Sequence, residues 1–309
     1  MKYEITGHIE GDDKEIAELF SEAFGGRQFD INAWRRNNES NPVKPYCVAS
    51  MWDGDKLIAH TELSVAKAIL DGKATISGVS GTTMARHGYP GASVAAYRWI
   101  DQEHPEVCKI GFPNDQSFPL IKRVLKHNYI GDIDFWWKIV GDPDDTDERI
   151  FQGCHIEETE KPSIPSDGLP ICDGCRYSLV KNREFIQWRF LNRTEKGYHY
   201  FECKKQDEIV GYVVLSKYFD GESNAWHGQI VDFAAVDDLV FMALIRFAEK
   251  QFNNDNLQVV KLWCTSPSFQ EDLKRCGFQY GLRPFHVELW HEDLALHEMN
   301  LTMADSDVF

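Results

Sequence analysis

The chain opens by switching between the two hydrophobic periods. Tyr3 to Ile9 alternates like a strand, and Ile16, Leu19 and Phe20 then recur at helical spacing behind an acid-rich start. Residues 30–38 predict a second short helix. Residues 45–54 and 56–69 read as two strands joined at Asp53-Gly54-Asp55, a hairpin signal. A second turn at Asp71-Gly72 leads into another β-like run over 73–86. Past a glycine-bearing loop come a helix over 91–104, a short buried strand over 106–112, a helix over 116–128 and a closing strand over 129–140. The order β-α-α-β-β-β-loop-α-β-α-β predicts a mixed sheet: hairpin-linked antiparallel strands first, then a crossover that yields a parallel pair.

The later half repeats this order without repeating the residues. Helix-rich 175–193 precedes a hairpin over 198–207 and 208–221 and a strand over 227–236. Helix 238–255, strand 256–264, helix 268–278 with Gly277 as its stop, and strand 284–290 complete it. Between the halves, from Asp142 to Glu160, eight acidic residues stand against Arg149 alone, and Pro162, Pro165, Gly168 and Pro170 follow. Charge clustering beside Pro and Gly reads as a linker. The expected division is therefore 1–141, a linker over 142–170, a second domain over 171–294, and a mobile tail over 295–309. A length of 309 residues suits two such domains.

Composition narrows the chemistry. With 33 Lys+Arg against 49 Asp+Glu the net charge is −16, which argues against nucleic acid, whose phosphates draw on cations. It leans towards a cationic or amine-bearing ligand. No apolar leader or membrane-length apolar run is visible, so a cytoplasmic protein without membrane partners is expected. Of the eight cysteines, Cys172 and Cys175 have zinc-knuckle spacing, but Cys154 and His155 are adjacent and make a poor second pair. No metal is expected.

The most informative segment runs from Thr82 to Val94, a strand passing through small residues into a helix. Such a turn aims backbone N–H groups at a helix N-terminus, where phosphate oxygens are attracted. The Gly-x-Gly-x-x-Gly of a dinucleotide fold is absent. Proton-transfer chemistry needs a positioned base, and a developing anion needs hydrogen-bond donors. His60 and Glu62, two residues apart on one strand, share a face and are the base candidates. Asp134 beside Trp136 and Trp137 is a rival. Asp232, inside an apolar strand, needs a cationic partner such as Arg189. Cys264 has no His/Asp arrangement around it.

At this point the sequence resembles the GNAT superfamily of acetyl-CoA-dependent N-acetyltransferases. The loop His87-Gly88-Tyr89-Pro90-Gly91-Ala92-Ser93-Val94, the element order, and Gly111-Phe112-Pro113-Asn114 carry the resemblance, which covers residues 1–140, with a degenerate second copy over 176–290. It implies two α+β domains, each with a mostly antiparallel mixed sheet, a splayed parallel strand pair and flanking helices. It implies acetyl-CoA as substrate, held by backbone groups of Met84 and Ala85, by amides of Gly91, Ala92, Ser93 and Val94 with Arg86 nearby, and by Asn114. The acceptor would be an amine-bearing small molecule or peptide, attacked without an acetyl-enzyme. The family often has a proton-donating tyrosine after the asparagine. Here Ile121 and Val124 stand in that helix, which leaves open an acyl-CoA-binding or scaffold protein of weak or no activity.

Overall fold

A computed structural model describes residues 3–7, 11–141, 153–169 and 174–306. In chain order the first elements are β1 (Glu4–Thr6), α1 (Asp13–Ala23), α2 (Ile31–Asn38), β2 (Cys47–Asp53), β3 (Lys56–Leu70), β4 (Lys73–Ser80), β5 (Met84–Ala85), α3 (Ala92–Glu103) and β6 (Val107–Gly111). Then follow α4 (Phe118–Leu120, carried on by a π-turn over Ile121–Leu125), β7 (Asn128–Ile133) and β8 (Trp136–Ile139). The later elements are β9 (His155–Glu158), β10 (Tyr177–Leu179), α5 (Arg183–Ile186, carried on over Gln187–Leu191), β11 (His199–Lys205), β12 (Glu208–Asp220) and β13 (Ala225–Ala235). Last come α6 (Asp238–Asn254), β14 (Val259–Leu262), α7 (Pro267–Arg275), β15 (Gln279–Tyr280), β16 (Phe285–Leu289) and β17 (Met299–Asn300).

The chain divides into two compact units. Unit 1 holds Met1–Ala68, Lys73–Ile130 and His286–Asp293; unit 2 holds Ile69–Gly72, Gly131–Phe285 and Leu294–Phe309. These bounds differ from a cut near residue 141. The run read as one closing strand is two: β8 leaves for the second sheet, where it pairs with β14 and β15. Conversely β16 pairs antiparallel with β6 in the first sheet, Glu288 opposite Gly111. Alternation alone shows that a strand exists, but not which sheet receives it.

In unit 1 the order β1-β2-β3-β4-β6-β16 matches the predicted mixed sheet, with β4 and β6 as its parallel pair. Asp71 and Gly72, both at positive φ, close the β3–β4 hairpin as a type I′ turn would. Helix α2 starts where Asp30 Oδ1 accepts from Ala33 N at 2.9 Å. Its Trp34 packs with Ile16 and Leu19 of α1 on Leu57 and Met84. Burying a side chain such as Leu19 contributes about 1.5–3 kcal/mol. The opposite face of the sheet carries α3, with Ala96, Tyr97 and Ile100 packed among Cys47, Leu63, Val65, Val107 and Trp290.

Unit 2 repeats the scheme as β15-β8-β14-β13-β12-β11-β9, with β13 and β14 parallel and α6 and α7 over a core in which Phe241 stacks on Phe269. Two expectations change here. Within the predicted linker, residues 155–158 form the edge strand β9 against β11, Ser163 N donates to Glu202 Oε1 at 2.6 Å, and Ile164 is fully buried. Residues 142–152 lie outside the described residues. The tail is not mobile over 295–306: Met299, Leu301 and Met303 are fully buried.

What fixes the tail is a cluster of polar groups. Thr265 Oγ1 donates to Met299 O and accepts from Leu301 N at 2.8 Å, while Thr302 Oγ1 donates to Asp232 Oδ1 at 2.7 Å. Thr265 follows β14 and Asp232 lies on β13, just past the last paired residues Ile230 and Leu262. The tail thus crosses between the two parallel strands where they part. Lys181 Nζ donates to Asp232 Oδ1 (2.6 Å), Thr302 Oγ1 (2.7 Å) and Asp305 Oδ2 (3.0 Å), and Tyr212 OH donates to Asp232 Oδ2 (2.8 Å). Burial works against the Lys181 charge, but the two carboxylates outweigh it and raise its pKa.

Candidate functional site

The parallel pair of unit 1 runs from Ile76 opposite Val107 to Val79 opposite Ile110 and stops there. Beyond it the chain bulges: Gly81 N donates to Glu62 O at 3.0 Å, and β5 pairs with β3 alone, His60 opposite Met84 and Ala59 opposite Ala85. Gly111, on its side, turns to β16. Residues 81–85 and 111–114 therefore belong to two strands that have parted.

The loop after β5 ends in the N-terminus of α3. Gly91 is its N-cap at φ 84°, a left-handed backbone that favours glycine. Among the described residues no side chain caps the helix, and no acid stands in its first turn, so the helix itself supplies no counter-charge to the positive end of its dipole. Ala92 N is engaged by Tyr89 O at 3.2 Å. A cavity of about 430 Å³ opens at this turn, lined by Gly91, Val94, Ala95, Arg98, Trp99 and Gln102, among others. Arg86 does not reach that opening: its Nε donates to Leu57 O at 2.7 Å and its guanidinium is paired with Glu22. An exposed cation lining the opening is Arg98, unremarked in the sequence because it lies about two helical turns past the glycine, and Lys56 stands 6.0 Å over the ring of Tyr89 in the loop.

Beneath the bulge lies a chain of hydroxyls. Thr61 Oγ1 and Thr83 Oγ1 are 2.7 Å apart, Thr83 Oγ1 donates to Tyr97 OH at 3.0 Å, and Ser80 Oγ lies 2.8 Å from the same phenol. Burial raises the Tyr97 pKa, and Glu288 adds to this, against the pull of Ser80 and Thr83. Tyr97 thus holds its proton at neutral pH at the point where the strands divide. The sequence places Tyr97 in the helix over 91–104, but only the fold shows what its hydroxyl meets. In α4, Ile121 is buried and Val124 exposed; neither carries a proton.

His60 and Glu62 do share a face, and it is the one covered by α2. His60 is fully buried, its Nδ1 3.2 Å from Ser50 Oγ, its Nε2 3.7 Å from Glu62 Oε2, and its ring 6.2 Å from that of Trp34. Glu62 Oε2 accepts from Asn38 Nδ2 at 2.8 Å. Both face away from the Thr61–Tyr97 side of the sheet. Asn114 is exposed; its Oδ1 accepts from Gln116 N (3.1 Å) and Ser117 N (2.9 Å), which caps the approach to α4.

The remaining candidates are structural. Asp134 accepts from Leu282 N and Arg283 N, both at 2.7 Å, and ties a turn. Trp136 is core, and Trp137 Nε1 donates to Gly281 O. Asp232 is paired with Lys181 rather than Arg189, which donates to the carbonyls of Ala304 and Ser306. Among the described residues no group of three or more His, Cys, Asp or Glu could hold a metal ion; Cys172 lies outside them. Cys154 packs against the core that contains Cys203, whose thiol burial pushes up to about 12. Among the described residues, no helix is long and apolar enough to cross a membrane.

No protein-family model matches the chain, and neither does any curated protein. Solved structures do. A GCN5-related N-acetyltransferase from Anabaena variabilis is similar with a TM-score of 0.69 and 11% identity, over 93% of this chain and 72% of that one. A probable N-acyltransferase of Enterococcus faecalis gives 0.65 and 12%, over 94% and 72%. The N-myristoyltransferase of Saccharomyces cerevisiae with bound myristoyl-CoA gives 0.56 and 12%, over 93% and 82%. The chain has a two-domain GNAT fold.

Proposed function

We propose that this chain is an acetyl-CoA-dependent N-acyltransferase whose cofactor site lies in unit 1. The observation that carries the reading is the uncapped N-terminus of α3, set by Gly91 at the end of a strand that has parted from its parallel neighbour. A diphosphate is the ligand such a terminus suits best, since its charge meets both the dipole and first-turn N–H groups. In this reading the amides of Gly91, Ser93 and Val94 receive the pyrophosphate, with Ala92 holding the turn. Arg98 supplies the charge first sought at Arg86. Met84 and Ala85 offer the pantetheine the strand edge turned away from β3, and Asn114 steadies the opposite wall.

The chemistry is direct attack of a neutral amine on the thioester, with Tyr97 as the proton donor to the departing sulfur. With Tyr97 in that role, no tyrosine is needed in α4. The sealed position of His60 and Glu62 under α2 makes that pair a support for β3 rather than the base. The acceptor is an amine-bearing small molecule or peptide, favoured by the net charge of −16. Calorimetry with acetyl-CoA tests the site: binding is expected in the micromolar range, and no heat at millimolar ligand overturns the reading. Thiol release across polyamines, amino sugars and lysine peptides then separates a transferase from an acyl-CoA-binding scaffold.

A further inference from the structure

One buried charge is explained by nothing described so far. Glu288, on β16, is 1% exposed, and among the described residues neither of its carboxylate oxygens has a hydrogen-bond partner. A buried carboxylate without hydrogen bonds, whose ionic neighbour is the His127 ring, is costly and leaves capacity for a donor that arrives later. Its place is specific. Glu288 stands opposite Gly111, the last residue of β6 before the strands part, and a Cβ on Gly111 would fall 2.3 Å from Glu288 Oε1. The carboxylate fills the space a side chain at Gly111 would take. Around it, His127 Nδ1 lies 3.4 Å from Oε1 without a hydrogen bond. The His127 ring stacks on Trp290 at 4.5 Å, and Tyr97 follows at 5.1 Å from Trp290. The nearby cation Lys109 is taken by Asp101 at 3.3 Å.

We propose that Glu288 is the group that meets the acceptor amine, facing its nitrogen at the open end of β6 and taking its proton as the amide forms. This rests on the acyl-CoA reading above. The nitrogen lone pair attacks the thioester carbon, the C–N bond forms and the C–S bond breaks. The sulfur leaves with its electron pair and takes the Tyr97 phenol proton. The proton shed by nitrogen rests on Glu288 and passes back to the phenolate through solvent, so the protein ends as it began. A residue 228 positions beyond His60 thus completes the site of unit 1.

The experiment compares two non-reactive thioethers on the full chain by calorimetry: S-ethyl-CoA, and S-(2-aminoethyl)-CoA, which places an ammonium near the acceptor nitrogen. Wild type should prefer the ammonium by about tenfold or more. E288Q should erase that preference and leave S-ethyl-CoA affinity unchanged. Gly111→Ala, which displaces the carboxylate without removing it, should weaken the preference and serves should E288Q not fold. Equal affinity of wild type for the two thioethers overturns the proposal, as does a preference that survives E288Q. Wild type that binds neither removes the acyl-CoA reading itself, a distinct result.

Discussion

Each unit contains a parallel strand pair that divides, and the two divisions are treated in opposite ways. In unit 2 the chain fills its own opening: residues 299–305 cross from Thr265 to Asp232, and Lys181 locks them there. The helix that follows, α6, is capped by Asp237, whose Oδ1 accepts from Val240 N at 2.7 Å. In unit 1 the equivalent helix α3 has Gly91 in place of a capping side chain, and β5 has β3 as its strand partner on one edge only. An acidic cap and a peptide strap supply in one unit what a diphosphate and a pantetheine arm would supply in the other. The contrast teaches that the opening itself is architecture; function depends on which groups are left unsatisfied beside it.

The contrast can be broken most forcefully at the strap. Lys181→Ala leaves Asp232 and Asp305 buried without their cation and should cost about 3–5 kcal/mol in urea unfolding. A loss below about 1 kcal/mol would show that the strap is held by apolar packing instead. Next in size, Gly91→Glu puts a carboxylate at the bare terminus of α3 and should weaken acetyl-CoA binding by about a hundredfold. Unchanged affinity in calorimetry would place the cofactor elsewhere. Smaller still, Asp237→Ala removes the α6 cap and should lower stability by about 0.5–2 kcal/mol, with no change in acetyl-CoA affinity.

The smallest effect is one of pH. His227, at the start of β13, faces Asp220 at 3.7 Å, Tyr218 and Ser223; burial and then Lys261 push its pKa down. The folded protein therefore binds fewer protons here than the unfolded chain, and stability falls as pH drops below about 6.5, the ordinary histidine value. Urea midpoints measured from pH 7.5 to 5 should show a shallower fall in His227→Asn. An identical slope would assign the acid loss to other groups.

Much of this was written in the order of elements. Periodicity placed β2, β3, α3, β6, α6 and α7 within a few residues, because each buries one regular face. The turn at Gly91 was legible for a chemical reason, since few residues tolerate that backbone before a helix. What the sequence hid was partnership across distance. The helix over 91–104 and the strand over 284–290 are legible by period, but nothing in that period marks Tyr97 or Glu288, and only the pairing of β16 with β6 brings Glu288 to Gly111. The strap was hidden differently: Asn300, Thr302 and Asp305 are polar, so the segment reads as solvated, yet their hydrogen bonds close inside the core. Polarity marks exposure only when no internal partner waits.

The traffic of β8 and β16 has a consequence for biosynthesis. Unit 1 cannot complete the edge of β6 until residue 289 has left the ribosome, although β1 to β6 have all been made once residue 111 is reached. A nascent chain must keep that edge from pairing wrongly in the meantime, and a cut between the two apparent halves would leave each sheet short of a strand and each piece holding a strand of the other.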